Sequence, residues 1–332
     1  MSDKKICLTH NHADEQLEIA ALAGADLEPS ALQGDDFCAD ADAVREAALL
    51  LYGKTREWLN VLVGDQNGRK KSKGVACHCF GDKMLSGSVL HYEDNTYIAS
   101  ADFNLLLQAR DVHFVQLCQL LGRYWGTFST FADDNGMLLE RAPLTCEEGL
   151  AKYLSGMAGT RGVGTLRKAM RYTCANAASP QEVNLQLALC LPTTCNGFAL
   201  KKPVANYLVK FDQEDQKLYD VDEIRVDLYW PEASFGLEYL GKKEHQGRMC
   251  ADVSRWYAAR NKGIELWFVT KEQLKKAEAV DLIAREVARR TRKRINEWTW
   301  PTIEELQELL DILRGARTTD PGRQLRARAI RM

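Results

Sequence analysis

The chain has no run of about 18 apolar residues, the length that spans a bilayer, and no charged, apolar, small-residue leader at its start. Neither membrane insertion nor export is therefore expected, and a cytoplasmic setting is. Its ten cysteines, at positions 7, 38, 77, 79, 118, 146, 174, 190, 195 and 250, lack the regular framework of a small secreted disulfide protein, so most are expected to be buried thiols. The net charge is only −2, and 27% charged with 45% hydrophobic residues exclude a disordered or fibrous chain. No plain helix-turn-helix stands out. The glycines of "GMAGTRGVG", Gly156 to Gly164, follow a GxxGxxGxG order that matches neither the dinucleotide fingerprint nor the P-loop. They read as a turn before a helix over Thr165–Cys174. The single Cys77-His78-Cys79 gives poor spacing for a four-ligand zinc site, and in a strand the two cysteines point one way and His78 the other.

What is present is enough chain for two units, since 332 residues exceed the usual ~100 to 200 of one domain. Charge is unevenly spread. Asp and Glu dominate residues 1–42, which read as an acidic arm or short helix, while Arg289, Arg290, Arg292, Lys293 and Arg294, then Arg323, Arg326, Arg328 and Arg331, make the far end basic. Such a cluster can follow a phosphate backbone or simply form a solvated helix face with a mobile tail.

Residues 43–142 read as a small α/β unit of unassigned role. "DADAVREAALLLYG" is a helix with an Asp cap, "EWLNVLVGD", "VACHCF", "SVLHYED" and "TYIAS" are strands, and "FNLLLQARDVHFVQLCQLLGRYWG" has helical spacing throughout. Residues 143–178 read as a helical linker. From there the order sharpens. "SPQEVNLQLALCLP" has Ser179 as N-cap, Pro180 at the first helical position and Glu182 three residues after the serine. Strands "ANYLVKF", "QKLYD", "EIRVDLYW" and "SFGLEYLG" follow, then a helix over 248–262, the apolar strand "GIELWFVT" and a long helix from Lys271. A strand, a helix and a second apolar strand predict a crossover that makes the sheet mixed. Residues 297–332 give one more amphipathic helix and the basic tail.

The stretch "RVDLYWPEASFGLEYLGKKEH" carries the chemistry. Its alternation predicts a hairpin turning at Pro231–Ser234, with Trp230 opposite Phe235 and therefore Asp227 opposite Glu238. Like charges ~5 Å apart repel, and a shared cation would neutralise them, as could Arg225, diagonal to Glu238 in that register. A different register would separate the carboxylates.

The capped "SPQE" helix start, "RVDLYW", "GLEYLGKKEH", Asp252 and Arg255 in the next helix, and "GIELWFVT" together resemble the PD-(D/E)XK, or restriction-endonuclease-like, superfamily. Within it they are similar to the very-short-patch-repair-like endonuclease domains found in actinobacterial abortive-infection antitoxin-like proteins. The resemblance covers about the last half of the chain, and residues from about Val75 to Ser129 look more faintly like the front part of the same proteins. It implies an α/β chain, α+β overall, whose residues 179–296 form a restriction-endonuclease-like domain with an αβββαβ core. It further implies a divalent-metal-dependent nuclease or nuclease-like protein acting on nucleic acid, DNA first, in a defence or repair setting. Glu182, Asp227 and Glu238 would hold Mg²⁺ or Mn²⁺, whose preference is for hard oxygen ligands. Arg255 and Lys243 would contact phosphate.

Glu182 also fits a capping box with no further role. The superfamily's lysine position is occupied here by Leu240, which can neither orient nor activate water. Lys242 on the same strand face, or His245 as acid/base, could replace it. Without such a replacement the resemblance implies a catalytically degenerate binding module, an antitoxin-like regulator.

Overall fold

The computed structural model describes residues 4–53, 58–65, 74–240 and 249–315, the side chains of 215 and 249–252 excepted. The chain divides into two compact units, residues 1–117 with 129–168, and residues 118–128 with 169–332. Both mix helices with β-sheet. Among the described residues no helix is long and apolar enough to cross a membrane.

The first unit begins with β1 (Ile6–Leu8), α1 (His10–Ala23), β2 (Glu28–Ser30), α2 (Ala41–Tyr52), β3 (Leu59–Val63), β4 (Val75–Cys79), β5 (Val89–Glu93) and β6 (Thr96–Ala99). Six strands make one sheet in the order β2-β5-β6-β1-β3-β4, with β1 parallel to β6 and antiparallel to β3, and β3 parallel to β4. The residues expected to form an acidic arm thus supply an inner strand. Ile6, Cys7 and Leu8 are each at most 1% exposed, and a three-residue apolar run beside an acidic helix is too short to announce itself by periodicity. Asp40 caps α2 as expected, accepting from the backbone N–H groups of Asp42 and Ala43, and Gly53 closes the helix at φ 63°.

The long helical pattern that follows is two helices, α3 (Ala101–Gln108) and α4 (Phe114–Trp125), broken at 109–113. Apolar spacing continues across the break, which is why the sequence reads as one helix. Next come β7 (Phe128–Ala132) and β8 (Leu138–Glu140), which pair, then α5 (Glu147–Gly156) and α6 (Val163–Met170). The expected linker therefore belongs largely to the first unit: Tyr153 on α5 hydrogen-bonds the Ser88 hydroxyl, and Thr145 donates to Asp102 on α3. Glu18 of α1 is buried and accepts from Thr130 N–H and both the Ser129 and Thr130 hydroxyls, with the Arg141 guanidinium at 3.6 Å.

The second unit contains α7 (Pro180–Cys190), β9 (Val204–Lys210), α8 (Gln213–Tyr219), β10 (Glu223–Trp230), β11 (Phe235–Leu240), α9 (Met249–Asn261), β12 (Glu265–Thr270), α10 (Ala277–Arg290) and α11 (Ile303–Leu313). Its sheet runs β12-β11-β10-β9, antiparallel except that β11 and β12 are parallel, joined by the α9 crossover. The mixed sheet is as expected from the sequence. "QKLYD" is not a strand: Gln216 to Tyr219 close α8, since Gln216 N–H reaches back to the Asp212 carbonyl and its side chain donates to Phe211 O. Trp230 is fully buried with its indole N–H on Lys201 O, and α11 buries Leu306, Leu309, Leu310 and Leu313. Full burial of one such side chain contributes ~1.5–3 kcal/mol.

Candidate functional site

The hairpin forms in the expected register, with Trp230 paired to Phe235 and Leu228 to Leu237, turning through Pro231–Ala233 with Ser234 at φ 45°. One step further along lie Asp227 and Glu238. The Asp227 carboxylate accepts the backbone N–H of Tyr239 at 2.6 Å, so a side chain takes over from main chain in tying β10 to β11. Regular alternation breaks at the same point. Ile224 and Val226 share one apolar cluster with Tyr229, an odd spacing that an unbroken strand does not permit. On the other side of β10 the pairs Val226 with Tyr207 and Leu228 with Ala205 flank Asn206, whose φ is 49°. Asp227 therefore occupies a local irregularity, the kind of distortion that re-aims a side chain.

Asn206 links this point to the preceding helix. Its amide donates to Glu182 Oε2 at 3.2 Å, and the same oxygen accepts the Ala178 N–H at 2.8 Å. Ser179 caps α7 by accepting the Glu182 N–H, but Glu182 reaches one residue beyond the expected box partner, to Ala178 rather than to Ser179. Glu182, Asn206, Asp227 and Glu238 thus follow one another across helix and sheet. Glu182 and Glu238 are buried at 6% and 9% exposure. They do not gather round one point: among the described residues the group of three metal-capable side chains with ligand atoms all within 4.8 Å lies elsewhere. A single octahedral ion at ~2.1 Å from each ligand holds even opposite ligands only ~4.2 Å apart.

Leu240 ends β11 half-buried, paired with Thr270, in the position where the resemblance calls for lysine. Lys242, Lys243 and His245 lie outside the described residues, as do the side chain of Asp252 and the basic tail. Arg255 is half-buried on α9. Arg225 is exposed and paired in the ladder to Leu208. Of the basic cluster, Arg289 and Arg290 are drawn into ion pairs with Glu286, and Arg290 also reaches Glu265, whereas Arg292, Lys293 and Arg294 are exposed.

A second constellation, in the first unit, was not visible as a motif. His10 Nε2 lies 3.5 Å and His78 Nδ1 3.7 Å from the same Asp111 oxygen, and the two imidazoles stack with centroids 3.6 Å apart. His10 opens α1, His78 sits on β4, and Asp111 occupies the break between α3 and α4. The break, hidden by continuous apolar spacing, is what brings the carboxylate in. In the sequence His78 stands out only with its flanking cysteines. Cys79 Sγ instead donates to Asp65 O at 3.3 Å. His10 is held at about 4, well below its ordinary 6.5, by burial first and by His78 next, with Asp111 pulling the other way.

Comparison with known protein families, with curated proteins and with solved structures returned no match to this chain.

Proposed function

We propose that the second unit is a nuclease-like domain that engages the phosphodiester backbone of nucleic acid, DNA first, through Asp227 and Glu238. The observation carrying this reading is that Asp227 and Glu238 sit on the two neighbouring strands of one hairpin, within the order α7-β9-α8-β10-β11-α9-β12 whose last strand returns parallel. That order contains the αβββαβ succession that the restriction-endonuclease-like resemblance calls for, with α8 inserted between its first two strands. Hard carboxylate oxygens suit Mg²⁺ or Mn²⁺, which would supply charge stabilisation at phosphorus and an activated water. The chain's own part is positional: Tyr239 N–H fixes the Asp227 carboxylate, and Asn206 with Ala178 N–H fixes Glu182.

The test incubates the full chain with supercoiled, linear and single-stranded DNA and a structured RNA, in Mg²⁺ or Mn²⁺, beside Asp227→Asn and Glu238→Gln. Both substitutions keep a hydrogen-bonding oxygen and remove the charge. Metal-dependent cutting lost in both variants supports the reading, and makes Lys242 and His245 the next residues to change. A second reading, binding without cleavage in the manner of an antitoxin-like regulator, is favoured by Leu240 and by the hydrogen bonds that already occupy Glu182 and Asp227. Wild type and variants equally inert on every substrate, with DNA still bound, would replace the first reading by the second.

A further inference from the structure

We propose that His10, His78 and Asp111 form a two-imidazole, one-carboxylate site for a divalent transition ion of the zinc class, separate from the carboxylates of the proposed nuclease-like unit. The case rests first on which nitrogens carry protons. The backbone N–H of Asn60 donates to His12 Nδ1 at 3.1 Å, so that nitrogen is an acceptor, and the Asn60 amide nitrogen also approaches it at 3.2 Å while donating to Asn11 Oδ1. The Asn60 side chain is thereby oriented with its oxygen toward His78. That oxygen lies 2.8 Å from His78 Nε2, which must be the N–H donor. In the neutral ring the lone pair then belongs to Nδ1, which faces Asp111.

On His10 the Thr9 hydroxyl lies 3.1 Å from Nδ1, and Nε2 is the nitrogen turned toward Asp111. That buried Nε2 has Asp111 Oδ2 at 3.5 Å, too long for a well-formed hydrogen bond. Two imidazole nitrogens and a carboxylate oxygen therefore lie within 4.8 Å of one another, and on His78 the nitrogen there carries the lone pair.

The spacing agrees. With ~2.0–2.2 Å bonds from zinc to nitrogen or oxygen, ligand atoms of a tetrahedral site lie ~3.3–3.6 Å apart, and the two separations to Asp111 are 3.5 and 3.7 Å. Closing on an ion asks the stacked rings to turn so that their nitrogens point to a common centre. Imidazole donors select transition ions over Mg²⁺ or Ca²⁺. The Asn60 contact to His78 is the outer hydrogen bond that metal-bound imidazoles ordinarily make.

A second observation is independent of the ring nitrogens. His10 has φ 53°, a left-handed conformation that costs a non-glycine residue free energy and recurs at functional sites. The backbone is clamped there from both sides: its N–H donates to Asn104 Oδ1 at 2.6 Å and its carbonyl accepts from Asn104 Nδ2 at 2.9 Å. Asn104 is fully buried and held in turn by Asp14. The fold thus keeps one imidazole in place at an energetic cost. Asp111, with 52% of its side chain exposed, leaves the site open to solvent and to a further ligand.

The test uses the full chain stripped by chelator and titrated with Co²⁺, whose visible absorption reports coordination geometry, followed by competition with Zn²⁺. We expect one saturable equivalent per chain, displaced by one equivalent of Zn²⁺. Affinity should fall more than tenfold in His78→Ala, in the surface change Asp111→Asn, and in His10→Asn, where asparagine tolerates the left-handed backbone. Cys77→Ser with Cys79→Ser, and Asp227→Asn, should bind as wild type. Absence of a saturable equivalent, binding unchanged in Asp111→Asn and His78→Ala, or thiolate charge-transfer bands lost in the double serine variant would each overturn the proposal. None of these outcomes bears on Mg²⁺-dependent cutting by the other unit.

Discussion

Asp227 is asked to do two things, and replacing it in two ways separates them. Its carboxylate accepts Tyr239 N–H at 2.6 Å, where β10 leaves regular pairing with β11. Asp227→Ala deletes the acceptor and leaves a half-buried amide without it. Hydrogen bonds to charged groups contribute ~1.5–3 kcal/mol, so the loss should be about 2 kcal/mol. Asp227→Asn retains a carbonyl oxygen at the same reach and should recover at least half of that. Six of the seven tryptophans belong to the second unit, Trp58 alone to the first, so tryptophan fluorescence during urea unfolding reports chiefly on the unit concerned. For a denaturant slope of ~2 kcal/mol per molar, the alanine variant should unfold ~1 M urea earlier than wild type and the asparagine variant less than ~0.5 M earlier. An unchanged midpoint in Asp227→Ala would refute the assignment of a structural bond. Equal shifts in both variants would refute the idea that an oxygen, rather than a negative charge, holds the strands.

Two further predictions concern packing and titration. A Cβ at Gly236 would lie 2.5 Å from Val226 Cγ1 and 2.9 Å from Leu266 Cδ2, so Gly236→Ala should lower stability by ~1–3 kcal/mol. Val226→Ala in the same chain should restore part of it, and additive losses in that double variant would show that the steric account is wrong. Asp40, bonded to Lys4 and to the start of α2, is held at about 2 against an ordinary 3.8, the Lys4 contact contributing most. A depressed carboxylate pKa means that its contribution to stability is complete above pH 3.8 and is lost as pH falls through about 2. NMR titration of the Asp40 carboxyl should therefore give a midpoint near 2 in wild type and closer to 3.8 in Lys4→Ala. The same midpoint in both would remove Lys4 as the cause.

The parts of this protein that short-range chemistry dictates were present in its sequence. Ser179 and Pro180 fix where α7 begins, Asp40 and Gly53 bracket α2, and the two-residue alternation around Pro231–Ser234 sets the pairing of Trp230 with Phe235. Each is decided by residues within a few positions of one another, so a local pattern suffices. The break of alternation at Asp227 is different. It arises because Val226 packs over Gly236 and shares a cluster with Tyr229 and Leu266, and because Asn206 turns left-handed on the neighbouring strand. The inner place of β1 likewise depends on strands that follow it by more than 50 residues.

The histidine cluster is wholly a tertiary product. His10 and His78 are 68 positions apart and Asp111 a further 33, no spacing rule joins them, and the helix break that admits Asp111 is masked by apolar residues continuing through it. The sequence by itself determined the caps and the hairpin register, because those follow from neighbours along the chain or directly across one turn. Only the tertiary structure decided which carboxylates are held by hydrogen bonds, which face one another, and that the first unit brings two imidazoles to a third residue. Those outcomes depend on strand order and side-chain packing between distant segments, which no local periodicity encodes.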